Sequence, residues 1–265
     1  MKVGVFDSGL GGLTVVSSIS EIFKGADIFY VADTKYAPYG EKTQEQILKR
    51  SIQITEFLIK EHKIEALIIA CNTATSAAIK ELRQKFTDLI LIGTEPGIKP
   101  AIEATKTNSI GVLATPATLK GDKYQLLVNE LFESKQIKLY EQACPGLVEQ
   151  IEKGELNSQV TKEMLQSWLK PMKENNVDTI VLGCTHYPLI QEQIKEIMQY
   201  DITLIQTGFA IAKRLEDLSS KKGHKNEGFL NISIYVTDDI NKNMIEKIFE
   251  NSEHKNKITI RKYDI

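Results

Sequence analysis

Short apolar runs recur along the chain at residues 2–6, 28–31, 66–70, 89–92, 109–113, 137–141, 179–182, 202–205, 232–236 and 257–261, and each predicts a strand. Between them the apolar positions return every three or four residues. That spacing predicts helices over 13–23, 44–62, 74–86, 119–133, 159–174, 189–199, 209–219 and 241–250. Thr43, three residues before Gln46, marks the start of the second helix as a capping box. Strands that alternate with helices imply parallel sheets wrapped by helices.

The pattern also repeats. Val3-Gly4-Val5-Phe6-Asp7-Ser8-Gly9 resembles Ile110-Gly111-Val112-Leu113-Ala114-Thr115-Pro116, both apolar strands that open into loops bearing a hydroxyl. Further on, Ala66-Leu67-Ile68-Ile69-Ala70 ends at Cys71, and Ile180-Val181-Leu182-Gly183 ends at Cys184. The expected fold is therefore α/β: two similar domains with parallel-rich sheets flanked by helices, related by a pseudo-twofold axis, with the active site in the cleft between them. Glu95-Pro96-Gly97 breaks the pattern once, and Gln206-Thr207-Gly208 closes the second unit. The expected domains are 1–97 plus 209–265, and 98–208.

Composition narrows the classes of function. The 265 residues are 42% hydrophobic and 26% charged, ordinary values for a globular chain with proper cores. A net charge of −2 without a long basic run gives no reason to expect nucleic acid as the primary partner. Lys221 to Lys225 reads as a solvated loop after a helix. Met1 to Phe6 runs straight into a strand, not into a secretory leader, and no apolar stretch approaches the ~18 residues of a membrane helix. A cytoplasmic protein with no membrane partner is expected, and three cysteines argue against a disulfide scaffold.

Two thiols carried by matching strands into polar loops suit a reaction that removes a proton from one face of a carbon and returns it to the other. A thiol with a pKa near ~8.5 is only a few per cent thiolate at neutral pH, so forming the base costs about 2 kcal/mol. A helix amino terminus can return ~0.3 to 2 kcal/mol of that, and both cysteines precede helical patterns. Asp7, at the end of the first strand, and His186, two residues after Cys184, can accept the thiol protons. Ser8-Gly9, Tyr39-Gly40, Asn72-Thr73, Thr115, Thr118 and Thr185 offer neutral donors suited to carboxylates.

Other readings of these residues are weaker. Cys144, before Pro145, reads as a small buried hydrophobe. A metal held by Cys71, Cys184 and His186 lacks a Cys-x-x-Cys pair and a fourth ligand. Gly9-Leu10-Gly11-Gly12 fails the dinucleotide spacing, because the third glycine would fall on Thr14; a tight strand-to-helix turn accounts for it. His62, His224 and His254 lie in charged surroundings and read as surface.

Four separated motifs, Phe6-Asp7-Ser8-Gly9-Leu10-Gly11-Gly12, Tyr36-Ala37-Pro38-Tyr39-Gly40, Ala70-Cys71-Asn72-Thr73-Ala74 and Gly183-Cys184-Thr185-His186-Tyr187-Pro188, together resemble the glutamate racemase family over residues 1 to about 220. The resemblance implies interconversion of L- and D-glutamate without a cofactor or metal, to supply peptidoglycan synthesis, by a homodimer. It matches Cys71 and Cys184 to the two catalytic bases, the first acting on the D-isomer and the second on the L-isomer. Asp7 and His186 match the residues that assist them, and Glu152 matches a carboxylate supporting the histidine. Substrate contacts carried over are Asp7, Ser8, Tyr39, Gly40, Asn72, Thr73, Thr185 and His186, with Thr115 and Thr118. Gly146 to Ile151 and Gln206 depart from the family pattern. An aspartate racemase of the same architecture is the nearest alternative, and a noncatalytic protein that captures an acidic ligand is the alternative of another class.

Overall fold

The computed structural model describes residues 1–132, 137–250, 252 and 258–265. Up to Thr94 the chain runs β1 (Lys2–Asp7), α1 (Leu13–Ile22), β2 (Asp27–Ala32), α2 (Gln44–His62), β3 (Ala66–Ile69), α3 (Asn72–Lys85) and β4 (Ile90–Gly93). It continues with α4 (Ile98–Ala104), β5 (Ser109–Ala114), α5 (Pro116–Lys120), α6 (Asp122–Phe132), β6 (Lys138–Ala143), α7 (Leu147–Lys153), α8 (Gln159–Glu174), β7 (Thr179–Gly183), α9 (Gln191–Met198) and β8 (Thr203–Ile205). Last come α10 (Gly208–Lys221), β9 (Asn231–Val236), α11 (Lys242–Ile248) and β10 (Ile258–Lys262). The chain divides into two compact units, Met1–Thr94 with Gly208–Ile265, and Glu95–Thr207.

Unit 1 holds a sheet of order β10-β9-β2-β1-β3-β4 and unit 2 one of order β6-β5-β7-β8, with parallel pairing throughout. The run β2-β1-β3-β4 has the same order as β6-β5-β7-β8, so the repeat read from sequence is also a repeat of topology. Helices cover both faces of a parallel sheet, which is why the central strands are apolar at nearly every position rather than at alternate ones. β3 and β5 are buried along their whole length. β10, at the edge, is exposed over its last four residues.

Differences from the expected elements have local causes. The expected helix over 119–133 is two helices: Thr115 caps α5 with Pro116 in its first turn, and Gly121 then turns extended and ends it. Its final residue, 133, and the first residue of the strand expected over 257–261 lie outside the described residues. The helix expected over 189–199 begins as a tight 3-10 turn, Tyr187–Ile190, before α9. α4 and α7, of seven residues each, were not anticipated as full elements; two turns give a 3.6-residue period little length in which to show. Gly146 stands before α7 at φ 78°, a conformation glycine adopts without the usual Cβ penalty.

His62 corrects an expectation. It is half-buried, its ring stacked on Phe29 at 4.1 Å and meeting Tyr235 at 5.0 Å, because the last turn of α2 leans on β2 and β9. Burial pulls its pKa down. His224 lies in the loop after α10 beside Glu65, at 3.3 Å, and His254 falls outside the described residues. Among the described residues no helix is long and apolar enough to cross a membrane.

Candidate active site

In unit 1 the strand ends gather Asp7, Asp33 and Cys71. Register pairs Phe6 with Ile69; beyond it the Ala70 amide donates to the Phe6 carbonyl (2.9 Å) and the Asp33 amide to that of Asp7 (3.0 Å). All three side chains are buried. Asp7 Oδ1 accepts the Gly9 amide at 3.0 Å, which folds the loop back toward α1. Gly12 completes that turn where a Cβ would stand 2.6 Å from Asp7 Cβ and 2.8 Å from the Tyr30 hydroxyl, so only glycine fits.

Cys71 is the N-cap of α3, and its sulfur accepts the Ala74 amide at 3.4 Å. An amide in a helix's first turn interacts more strongly as negative charge gathers on the acceptor. Ser8 Oγ lies 4.0 Å from the same sulfur. Asn72 and Thr73, in the first turn, are buried, and Asn72 Oδ1 has no hydrogen-bond partner among the described residues. A buried acceptor without a partner carries a desolvation cost that a ligand's N–H group would remove. Tyr39 is buried in the apolar cluster that contains Cys71, and Gly40 is half-buried.

Unit 2 repeats the arrangement with different chemistry. Ala114 pairs with Gly183, and the Cys144 amide donates to the Ala114 carbonyl at 2.9 Å, so Thr115, Cys144 and Cys184 occupy the strand ends. Cys184 Sγ is 3.6 Å from His186 Nδ1, and His186 Nε2 is 2.6 Å from Glu152 Oε1. An ionised carboxylate only accepts, so Nε2–H donates to Glu152 and Nδ1 is left facing the sulfur. Burial of His186 pulls its pKa down, but Cys184 and Glu152 outweigh it, and the imidazole is held well above its usual value. α7, absent from the sequence expectation, is the element that brings Glu152 to His186.

Thr185 Oγ1 lies 3.5 Å from His186 Nδ1, and the Thr115 and Thr118 hydroxyls are 2.9 Å apart at the start of α5. Cys144 is buried with its thiol pushed up to about 12, chiefly by burial, which suits an inert packing residue. The two thiols thus differ: one sulfur faces a helix amide, the other an imidazole.

Two buried charged residues in unit 1 escaped the sequence reading. Arg50 donates from Nη2 to Asp33 Oδ1 (2.6 Å) and from Nε to Oδ2 (2.8 Å), and both side chains are almost wholly buried. The signal was there, since Arg50 lies on the stripe of α2 formed by Ile47, Ile54 and Leu58. A charge on an apolar stripe needs a buried partner.

Comparison with known proteins agrees with this architecture. The chain is 66% identical over 265 residues to a glutamate racemase of Aliarcobacter butzleri, with both chains covered in full. A glutamate racemase isoform of Bacillus anthracis superposes with a TM-score of 0.84 at 31% identity, covering 99% of this chain and 97% of the other. One from Francisella tularensis, solved in complex with D-glutamate, gives 0.80 at 29% identity, covering 100% and 97%. With residues 3–215 matching the family model described as Asp/Glu/Hydantoin racemase, the chain belongs to that racemase family.

Proposed function

We propose that this enzyme interconverts L- and D-glutamate without a cofactor, by two thiols that act in turn on the α-hydrogen, and that it supplies D-glutamate for peptidoglycan synthesis. The observation that carries the reading is the matched placement of buried Cys71 and Cys184 after β3 and β7, strands in equivalent positions of two like-ordered sheets. Relatives that are glutamate racemases over the full chain length support glutamate as the substrate.

In the proposed reaction one thiolate removes the α-proton while the other thiol delivers its own to the opposite face of the planar carbanion. Cys71 serves the D-isomer and Cys184 the L-isomer. Asp7 assists the first thiol, and His186, braced by Glu152, relays the proton of the second. Asn72 Oδ1 accepts from the substrate ammonium, while Ser8, the main chain of Tyr39 and Gly40, Thr73, Thr115, Thr118 and Thr185 contact its carboxylates. A cytoplasmic homodimer belongs to the same reading, which fractionation and sedimentation would check.

The deciding experiment follows the circular dichroism of L-glutamate and, in D2O, the α-hydrogen by NMR. Decay of the signal to zero with one deuteron incorporated per turnover is expected. A stable signal with glutamate but decay with aspartate would replace the substrate, and stability with both would end the reading.

A further inference from the structure

Beyond the residues assigned to the reaction, unit 1 holds a buried polar cluster around Asp33. Its carboxylate takes four donors: Arg50 Nη2 and Thr237 Oγ1 on Oδ1, at 2.6 and 3.1 Å, and Arg50 Nε and the Tyr39 hydroxyl on Oδ2, at 2.8 and 2.7 Å. The third guanidinium nitrogen, Nη1, donates to the main-chain oxygen of Ile265 at 2.6 Å. Tyr36 lays its ring 4.3 Å from the guanidinium carbon. The partners come from distant parts of the sequence: the loop after β2, the middle of α2, the residue after β9, and the segment after β10.

Two features separate this cluster from ordinary stabilisation. A buried ion pair is seldom more stabilising than apolar residues of the same volume, since removing two charges from water offsets their attraction, so its contribution is geometric. In addition, a bidentate fork on one carboxylate fixes direction as well as distance, which a lysine in the same place could not do. The object being fixed is Tyr39. Its hydroxyl proton is committed to Asp33, so the phenol does not donate to substrate; it anchors the turn Tyr39-Gly40 beside Cys71.

We propose that Asp33 and Arg50 are positioning residues for the reaction, holding the Tyr39-Gly40 turn in its substrate-binding position through the Tyr39 hydroxyl, with Thr237 and the Ile265 main chain bracing them from behind. The inference rests on the reading of Tyr39 and Gly40 as substrate contacts. It adds that the segments after β9 and β10, which carry no residue of the reaction, help set affinity for the substrate.

The test is steady-state racemisation of glutamate by the full-length protein and its Thr237→Val, Asp33→Asn, Tyr39→Phe and Asp33→Asn/Tyr39→Phe variants. Loss of positioning weakens binding more than chemistry, so KM should rise about threefold for Thr237→Val and about tenfold for Asp33→Asn and Tyr39→Phe, with kcat within about twofold of the parent. The double variant should have the KM of the worse single variant, because both changes cut one link. Thr237→Val leaves the ion pair intact and carries the test alone if Asp33→Asn does not fold. Multiplying KM effects in the double variant would overturn the proposal, as would variants that melt earlier but keep the parent KM. A parent protein inactive on glutamate would instead overturn the underlying assignment, and with it the meaning of the turn.

Discussion

Cys71 and Cys184 are both less than a tenth exposed, yet their sulfurs face different neighbours. The Ala74 amide reaches Cys71 as part of a helix cap, whereas His186 reaches Cys184 from the next turn of chain and is itself held by Glu152. On the proposed mechanism, Cys71→Ala and Cys184→Ala each lower racemisation by about 10³-fold or more, because either thiol alone serves one face only. Polarimetry with a parallel melting curve checks it; a variant racemising near the parent rate would refute the two-base assignment. His186→Asn removes the relay on one side alone, so kcat should fall unequally in the L-to-D and D-to-L directions, with KM shifting to keep kcat/KM equal in both. An equal fall of kcat in the two directions would show that the histidine does not belong to one thiol.

At the scale of elements, helix starts decide where the chemistry stands. α2 begins with a complete capping box, Thr43 Oγ1 accepting the Gln46 amide at 3.2 Å and Gln46 Oε1 accepting the Thr43 amide at 2.9 Å. Thr43→Ala should cost about 1 kcal/mol. The midpoint of urea denaturation should fall accordingly; an unchanged midpoint would mean the cap adds nothing here. Both this cap and the full span of α8, 159–174, were legible in sequence, since long amphipathic periods and cap residues are local signals. α7 was not, and the contact it makes came only from the family resemblance: seven residues hold two turns of helix, and by pattern alone Glu152 looks like any surface carboxylate until His186 stands 2.6 Å away. Asp33 and Arg50 were half legible, as a carboxylate at a strand end and a charge on an apolar stripe, but their bidentate contact was not.

For the molecule as a whole, the buried His186 makes stability depend on pH. Its pKa is raised on folding above 6.5, so the folded protein holds the proton more tightly and the contribution is full below about pH 6.5. It is lost as pH rises through the folded value. The gap in unfolding free energy between the parent and His186→Asn should therefore narrow as pH climbs from 6 toward alkaline values; a gap that widens would contradict the direction of the shift. The sequence by itself determined the alternation of strands and helices, the repeat, and the two thiols at strand ends, because periodicity, capping and motif spacing act over a few residues. Tertiary structure alone decided which rings close around His62, how near Glu152 stands to His186, and what neutralises Arg50. Those outcomes depend on side chains that meet from segments tens to hundreds of residues apart, because a charge taken out of water is held only where a distant segment supplies its partner.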